Sequence, residues 1–400
     1  SMGNTRDLED FLSPEQRQAL ERPTGDASGL PGKVYSDPEF LDLERRTLFR
    51  TTWVATAVSS QIPDPGDVLP VDVVGWSIIL VRGRRGEINA FHNVCRHRNA
   101  TIINAPSKKL AALRCPWHGW TYALDGSFKG SPEFGGVGIH ETDTSCPSQL
   151  GLVPIRTAQW FDIVFINVDG EAPPLNTYLS RFLKRFDGVG FDTLAHMGSW
   201  ESSYPCNWKL AVESGIEDYH LPFLHPTLTN GAFRGDRSVM ESDEDVYFCC
   251  CEVSRSQWSK GRGDKHLPAL PIIPGLQGED AFSLFFLNLF PTAVIGLVPD
   301  SLYVGIWLPD GHDKTKLSFH HYCAGQSAMA EKYQPTRDNI IDAVKSIFAQ
   351  DSPILETVQR QAASRDEFRV ESRFSPFWET LVHGFQKSVI KHIENGSRRP

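Results

Sequence analysis

Hydrophobic and polar positions change their rhythm along the chain. Residues 1–49 are mostly polar, with turns and short helical pieces; Ser13-Pro14-Glu15-Gln16 reads as a helix start, with proline in the first turn. From Trp53 onward short apolar runs dominate. Ser77-Ile78-Ile79-Leu80-Val81 and Glu87-Ile88-Asn89-Ala90-Phe91 flank the turn-like Gly83-Arg84-Arg85-Gly86. Thr121-Tyr122-Ala123-Leu124, Asp125-Gly126 and Ser127-Phe128 carry the strongest hairpin signal, and Trp160 to Val168 adds a strand. Residues 50–168 are therefore expected to be all-β. Glu171-Ala172-Pro173-Pro174 marks a linker. Beyond it the pattern predicts a helical stretch over Trp208–His220, strands at Val246–Val253, Ala281–Leu289, Ser301–Leu308 and Lys316–Cys323, and helices after Arg337. Strands followed by helices predict an α+β fold with an antiparallel sheet. Three segments result: 1–49, 50–168 and 169–400.

Composition narrows the function. At about 150 residues per domain, 400 residues make two or three domains, and 40% hydrophobic content is enough for a sizeable core. With 40 basic and 49 acidic side chains the formal charge is −9, which would repel a phosphate backbone, so no nucleic-acid partner is expected. The most apolar stretch, Phe285–Val298, is interrupted by Asn288 and Pro291, and no membrane span is expected. The cysteines (Cys95, Cys115, Cys146, Cys206, Cys249, Cys250, Cys251 and Cys323) are sparse and three are adjacent, which suits a reducing, cytoplasmic compartment rather than a disulfide scaffold. The start carries no signal-peptide pattern. Ser1 ahead of Met2 reads as a cloning scar, which leaves a removed targeting segment open.

Two constellations carry chemistry. In the first, Cys95-Arg96-His97 and Cys115-Pro116-Trp117-His118 place a thiol and an imidazole on each of two short loops, 17 residues apart. Such a set suits tetrahedral zinc, or a two-iron, two-sulfur cluster with two cysteines on one iron and two histidines on the other. Mixed Cys/His pairs favour the cluster over zinc, which prefers like pairs. In the second, Glu213, Glu217 and His220 fall at i, i+4 and i+7, on one face if the stretch is helical. His225 lies beyond Pro222, and a break there would let both imidazoles meet. A two-histidine iron site needs a carboxylate. Asp351 falls on the apolar stripe Val344, Phe348, Leu355 and Val358, where an unpaired carboxylate is expensive. Glu356 is the rival, and Pro353 is expected to start a new helix.

These residues resemble those of the catalytic α-subunit of Rieske non-heme iron ring-hydroxylating oxygenases. The likeness rests on Cys95-x-His97 with Cys115-Pro116-Trp117-His118-Gly119-Trp120, on Asn207-Trp208-Lys209 through Glu217-Asp218-Tyr219-His220 to His225, and on the Gln350-Asp351 to Gln359 region. The resemblance implies an all-β Rieske domain at 50–168 and a helix-grip-like catalytic domain at 169–400, with residues 1–49 packing on the latter. It implies a [2Fe-2S] cluster held by Cys95, His97, Cys115 and His118, and a mononuclear Fe(II) held by His220, His225 and Asp351. Glu217 takes the place of the carboxylate that bridges two subunits of a head-to-tail homotrimer, with Asp218 as fallback; Glu213 is an outer partner or a salt-bridge former. No G-x-G-x-x-G follows a strand, so electrons are expected from a separate flavin- or ferredoxin-type reductase.

Glutamate rather than aspartate at position 217 is more like the branch acting on carnitine, betaines and choline. The expected reaction is O2-dependent hydroxylation of a small quaternary ammonium compound, with hydroxylation of an aromatic acid as the alternative and a non-catalytic Rieske electron carrier or a structural zinc protein as different classes. An aromatic cage for the ammonium head is sought among Tyr204, Trp208, Phe223, Trp258, Phe285, Phe286, Phe290, Tyr303 and Trp307. His92, His320 and His321 are read as structural. Arg82, Arg84, Arg85, Lys108 and Lys109 are read chiefly as solvated charge, with docking of an acidic electron donor as the alternative.

Overall fold

The computed structural model describes residues 5–142, 148–226, 239–243, 246–252, 266–276 and 283–399; Cys146 and Trp258 lie outside them, as do the side chains of Cys249, Cys250 and Cys251. The chain forms two compact units, Arg50–Leu175 and the combination of Ser1–Phe49 with Asn176–Pro400.

The unit Arg50–Leu175 is all-β. Its strands are β1 (Val54–Val58), β2 (Val68–Val73), β3 (Trp76–Arg82), β4 (Ile88–His92), β5 (Leu113–Arg114), β6 (Thr121–Tyr122), β7 (Phe128–Gly136), β8 (Ile139–Thr142), β9 (Pro154–Trp160) and β10 (Ile163–Asn167). They make an antiparallel six-stranded sheet in the order β1-β10-β9-β4-β3-β2 and a four-stranded sheet in sequence order from β5 to β8. Ile79, Val81, Phe91, Leu113, Tyr122 and Phe128 form a core that also encloses Cys95 and Cys115. The turn between β6 and β7 needs its glycine. Gly126 has φ +83°, and a Cβ there would stand 2.4 Å from the Phe91 ring. The strand expected over Trp160–Val168 is instead the tail of β9 plus β10, because Phe161 (φ +53°) and Asp162 reverse the chain. Arg82 is not free: its guanidinium donates to the carbonyls of Ile62 and Gly86, while Lys108 meets the buried Asp67.

The larger unit contains α1 (Pro14–Leu20), α2 (Lys33–Ser36), α3 (Pro38–Glu44), α4 (Leu175–Tyr178, across the boundary), α5 (Ser180–Arg185), α6 (Trp208–Ser214), α7 (Leu221–Leu224), α8 (Gln334–Ser364) and α9 (Thr380–Ser397). Helix α1 starts where expected, with the Ser13 hydroxyl accepting from Gln16 N. The strands are β11 (Ala195–Tyr204), β12 (Val239–Asp243), β13 (Val246–Glu252), β14 (Ser283–Leu289), β15 (Ala293–Val298), β16 (Ser301–Pro309) and β17 (Thr315–Cys323). They form one antiparallel sheet in the order β11-β17-β16-β15-β14-β13-β12. Every residue of β16 is buried, so both faces of the sheet centre are covered.

The apolar run Phe285–Val298 is a hairpin, with Asn288 inside β14 and its amide donating to the carbonyls of Pro291 and Ala293. Two expectations need correction. The helix expected over Trp208–His220 stops at Ser214, capped by Gly215. Pro353 does not start a helix, since α8 runs through it for 31 residues. Packing holds α8 together there: Tyr204 donates to the Phe348 carbonyl (2.8 Å) and Gln359 accepts from Asn207 N (2.8 Å).

The N-terminal segment contributes a buried ion pair. Glu44, at the end of α3, receives Lys209 Nζ (2.6 Å) and Trp208 Nε1 (3.0 Å) from α6, and Lys209 and Glu44 are inaccessible to solvent. This pair fixes where α6 begins. Replacing Lys209 by Ala strands a buried carboxylate, and denaturant titration should register a loss of about 3–5 kcal/mol; a loss under about 1 kcal/mol would mean the pair is not what seats α6.

Candidate metal centres

In the β unit, two loops of the same design carry the first donor set. Cys95 N donates to Ala100 O (2.8 Å) and Asn99 N to Cys95 O (3.0 Å); Cys115 N donates to Trp120 O (2.8 Å) and Gly119 N to Cys115 O (3.1 Å). Each loop thus closes on its cysteine, with left-handed residues Asn99 (φ +61°) and Gly119 (φ +74°) making the turns. Both thiols are buried and neither is in a disulfide. The His97 and His118 rings lie 4.7 Å apart, and His97 stacks on Trp120 at 4.9 Å. Burial raises the Cys95 thiol pKa above its usual range, opposed by the Tyr122 hydroxyl 3.4 Å from Sγ. Burial lowers that of the His97 imidazole. Nδ1 of His97 is enclosed without a hydrogen-bond partner. Two sequestered thiols and an imidazole nitrogen with nothing to bond are what a buried metal–sulfur group would satisfy, so the residues fit a cluster.

In the larger unit, the second donor set depends on a single helical turn. His220 is the N-cap of α7 and His225 its C-cap, with Pro222 inside the first turn. Pro222 therefore helps to start a short helix rather than break a long one, and the two rings close to 5.1 Å. Asp351, buried on α8, supplies the third group: Oδ1 is 3.0 Å from His225 Nε2 and 3.7 Å from His220 Nε2. The three ligand atoms lie within 4.8 Å of one another, and this is the one such group found among the described residues. The other nitrogen of each ring is taken. His220 Nδ1 meets Glu217 Oε1 (2.5 Å) and His225 Nδ1 meets Gln350 Oε1 (2.7 Å).

Those partners fix the tautomers. With Nδ1–H donating outward, both Nε2 lone pairs point at the Asp351 carboxylate, and acceptors so close need a cation between them. The residues fit a divalent metal. Burial depresses the His220 pKa, but the hydrogen bond and charge of Glu217 and the charge of Asp351 outweigh it, and the net shift is upward.

Several residues stand elsewhere than their sequence pattern predicts. Glu213 does not share a helix face with Glu217 and His220, because α6 ends between them. It is half-buried, accepting from Tyr35 OH (2.8 Å) and Gln386 Nε2 (3.2 Å). Glu356 is exposed on α8, as is Val358, while Gln359 takes the buried position expected of Val358.

A cavity of about 270 Å³ opens beside His220, His225 and Asp351. Of the nine aromatics considered for a cage, Phe286 and Tyr303 line it, joined by Phe348. Trp208 is turned to Glu44, Phe290 packs on Phe385, and Phe223 is 81% exposed. Gly296 makes the room, since a Cβ there would stand 2.0 Å from the Tyr303 ring. His321, read as structural, lines the same cavity. Strand alternation with Leu317 and Phe319, an otherwise apolar face, was the available sign.

An iron–sulfur donor set and a two-histidine, one-carboxylate set on one chain define a two-centre metalloprotein of the oxygenase type. Comparison with known proteins agrees. Residues 191–395, more than half of the chain, match the family model for the ring hydroxylating alpha subunit (catalytic domain), and residues 52–141 match the Rieske [2Fe-2S] domain. The chain belongs to the ring hydroxylating alpha subunit family, whose cofactors are a Rieske cluster and a mononuclear iron. It is 33% identical over 217 residues to the glycine betaine monooxygenase oxygenase subunit of Chromohalobacter salexigens (54% of this chain, 47% of the relative). It is 30% identical over 221 residues to the carnitine monooxygenase oxygenase subunit of Escherichia coli (54% and 56%). The chain spans about half the length of these curated relatives. Its fold matches the quaternary ammonium Rieske monooxygenase CntA with a TM-score of 0.75 at 21% identity, covering 98% of this chain and 100% of that one.

Two outcomes follow from this geometry. Burial pushes the Glu213 carboxyl up to about 7 from 4.5, against the hydrogen bonds of Tyr35 and Gln386. The folded state then holds the proton more tightly, so this group costs stability as pH rises from 4.5 to about 7. Glu213→Gln should flatten that decline in urea titrations across the same window; an unchanged slope would contradict the assignment. Glu217→Gln should weaken Fe(II) binding at the histidine site by about 10–100-fold in an anaerobic metal titration, because His220 loses its charged anchor.

Proposed function

We propose that this chain is the terminal oxygenase component of a quaternary ammonium monooxygenase, hydroxylating a betaine-, carnitine- or choline-like substrate with O2 and electrons from a separate reductase. The observation that carries this reading is the aromatic-walled cavity beside His220, His225 and Asp351; the named activities of the betaine and carnitine relatives support the substrate class. Cys95, His97, Cys115 and His118 would hold the [2Fe-2S] cluster, and His220, His225 and Asp351 the Fe(II). The iron, once bound and reduced, supplies O2 activation.

The chain's own residues do the rest. Glu217 holds the proton on His220 Nδ1 and Gln350 orients His225, which keeps both Nε2 atoms aimed inward. Phe286, Tyr303 and Phe348 line the cavity, and their rings would attract a trimethylammonium head through the ring quadrupoles. Attack at an N-methyl carbon would give a hemiaminal that releases formaldehyde; attack elsewhere, as with choline or carnitine, would break or oxidise a C–C or C–O unit.

Assembly follows the same reading. In the β unit Trp117, Phe134, Val137 and Ile139 are exposed, with Trp117 and Phe134 against the histidines of the cluster loops. In the larger unit Tyr219, Phe223 and Phe377 are exposed and joined through Trp378, beside Glu217 and His220. A head-to-tail homotrimer would cover both surfaces and set one copy's cluster against the next copy's Glu217, which would link a histidine of each centre.

Supplied with a reductase, the enzyme should consume O2 and release formaldehyde with betaines, or oxidise a C–C or C–O unit of carnitine or choline, and sediment as a trimer. Turnover of benzoate-like acids alone would shift the substrate to the aromatic class, and a sedimenting monomer would remove the role given to Glu217.

A further inference from the structure

His320 and His321 are neighbours on β17 with opposite fates. His320 Nδ1 meets the Ser199 hydroxyl (2.8 Å), and its Nε2 is enclosed with no partner. His321 points to the other face, where it lines the cavity beside its register partner Tyr303. Across from it on β11 stands Gly198, which offers no side chain, so Trp200, two residues further on, reaches over. Trp200 Nε1 lies 2.8 Å from His321 Nε2, with the rings nearly coplanar at 22°. Trp200 is itself held by stacking on Phe319 at 4.2 Å.

An indole nitrogen can only donate. The bond therefore commits His321 Nε2 as acceptor, and in a neutral ring the one proton must sit on Nδ1. Burial, helped by the charges of His320, His196 and Lys345, lowers the His321 pKa to about 3, so the ring stays neutral. The residue is 1% exposed, and its hydrogen bond to Trp200 is made through Nε2, which leaves Nδ1 as the nitrogen turned away from Trp200. Leu302, Val344 and Phe348 line the same cavity, together with the polar Ser301, Ser346 and Gln350. A buried donor fixed in such a lining has a claim on any acceptor brought to it.

We propose that His321 is a specificity-determining residue whose Nδ1–H, set by Trp200, receives an oxygen acceptor of the substrate (a carboxylate or hydroxyl oxygen) at the end of the molecule away from the reacting carbon. The proposal rests on the reading of this cavity as the substrate site, and it adds what the aromatic rings cannot: a rule for the polar end of the ligand. Rings recognise the cationic head alone; His321 separates a betaine from a bare tetraalkylammonium ion.

The test is anaerobic titration calorimetry on the metal-loaded enzyme with two ligand pairs, glycine betaine against tetramethylammonium and benzoate against benzene. Wild type should prefer the oxygen-bearing member of at least one pair by roughly 10–100-fold, the range of a hydrogen bond to a charged acceptor. His321→Phe should bring that pair within about threefold of each other. Retention of the full preference in His321→Phe, or absence of any preference in wild type, overturns the proposal. Preference in the benzoate pair alone, lost in His321→Phe, supports it while removing the quaternary ammonium reading. Trp200→Phe, which releases His321 Nε2 and lets the ring adopt either tautomer, should reduce the preference several-fold, and serves where His321→Phe does not fold; an unchanged preference there counts against the proposal.

Discussion

A carboxylate buried between two imidazole lone pairs is the constraint on which the larger unit turns. Asp351 lies within 3.7 Å of Nε2 of both His220 and His225, and the outer nitrogen of each ring is already bonded to Glu217 or Gln350. Three acceptors facing one point repel one another unless a cation joins them. Much of the surrounding fold holds that arrangement: α6 seated by the Glu44–Lys209 pair, α7 reduced to one turn so that its two caps meet, and α8 continued through Pro353 with Tyr204 and Asn207 bonded to it on either side.

The β unit answers the same problem differently. There the donors lie on two matching loops that close on their own cysteines, and the orphaned His97 Nδ1 and the buried thiols fit a metal–sulfur group. Local geometry does the work, so short loops suffice. This is why the first donor set is legible from spacing alone: Cys95-x-His97 and Cys115-x2-His118 are each within one turn of chain, and nothing distant must be guessed.

The second donor set was legible only in part. His220, His225 and Asp351 were found by type and by the cost of a carboxylate on an apolar stripe. Their local setting was not, because helix periodicity carried past Gly215 and gave Glu213 a face it does not occupy. Tertiary partners decided these points: Tyr35 and Gln386 claim Glu213, and Gln359 rather than Val358 takes the inward place on α8. Strand β11 gives no strand pattern in the sequence because it is an edge strand with polar, exposed positions, and Trp200 and the setting of His321 depend on it. The aromatic list was too generous for the opposite reason: most strand aromatics simply fill the core.

The most direct test of the buried carboxylate as a metal ligand is elemental analysis of iron and acid-labile sulfide in reconstituted wild type and Asp351→Ala. A two-iron, two-sulfide cluster plus one separate iron requires three irons and two sulfides per chain, and the variant should keep the cluster and its colour while falling to two irons. A variant that still holds three irons, or a wild type that never exceeds two, would contradict the account.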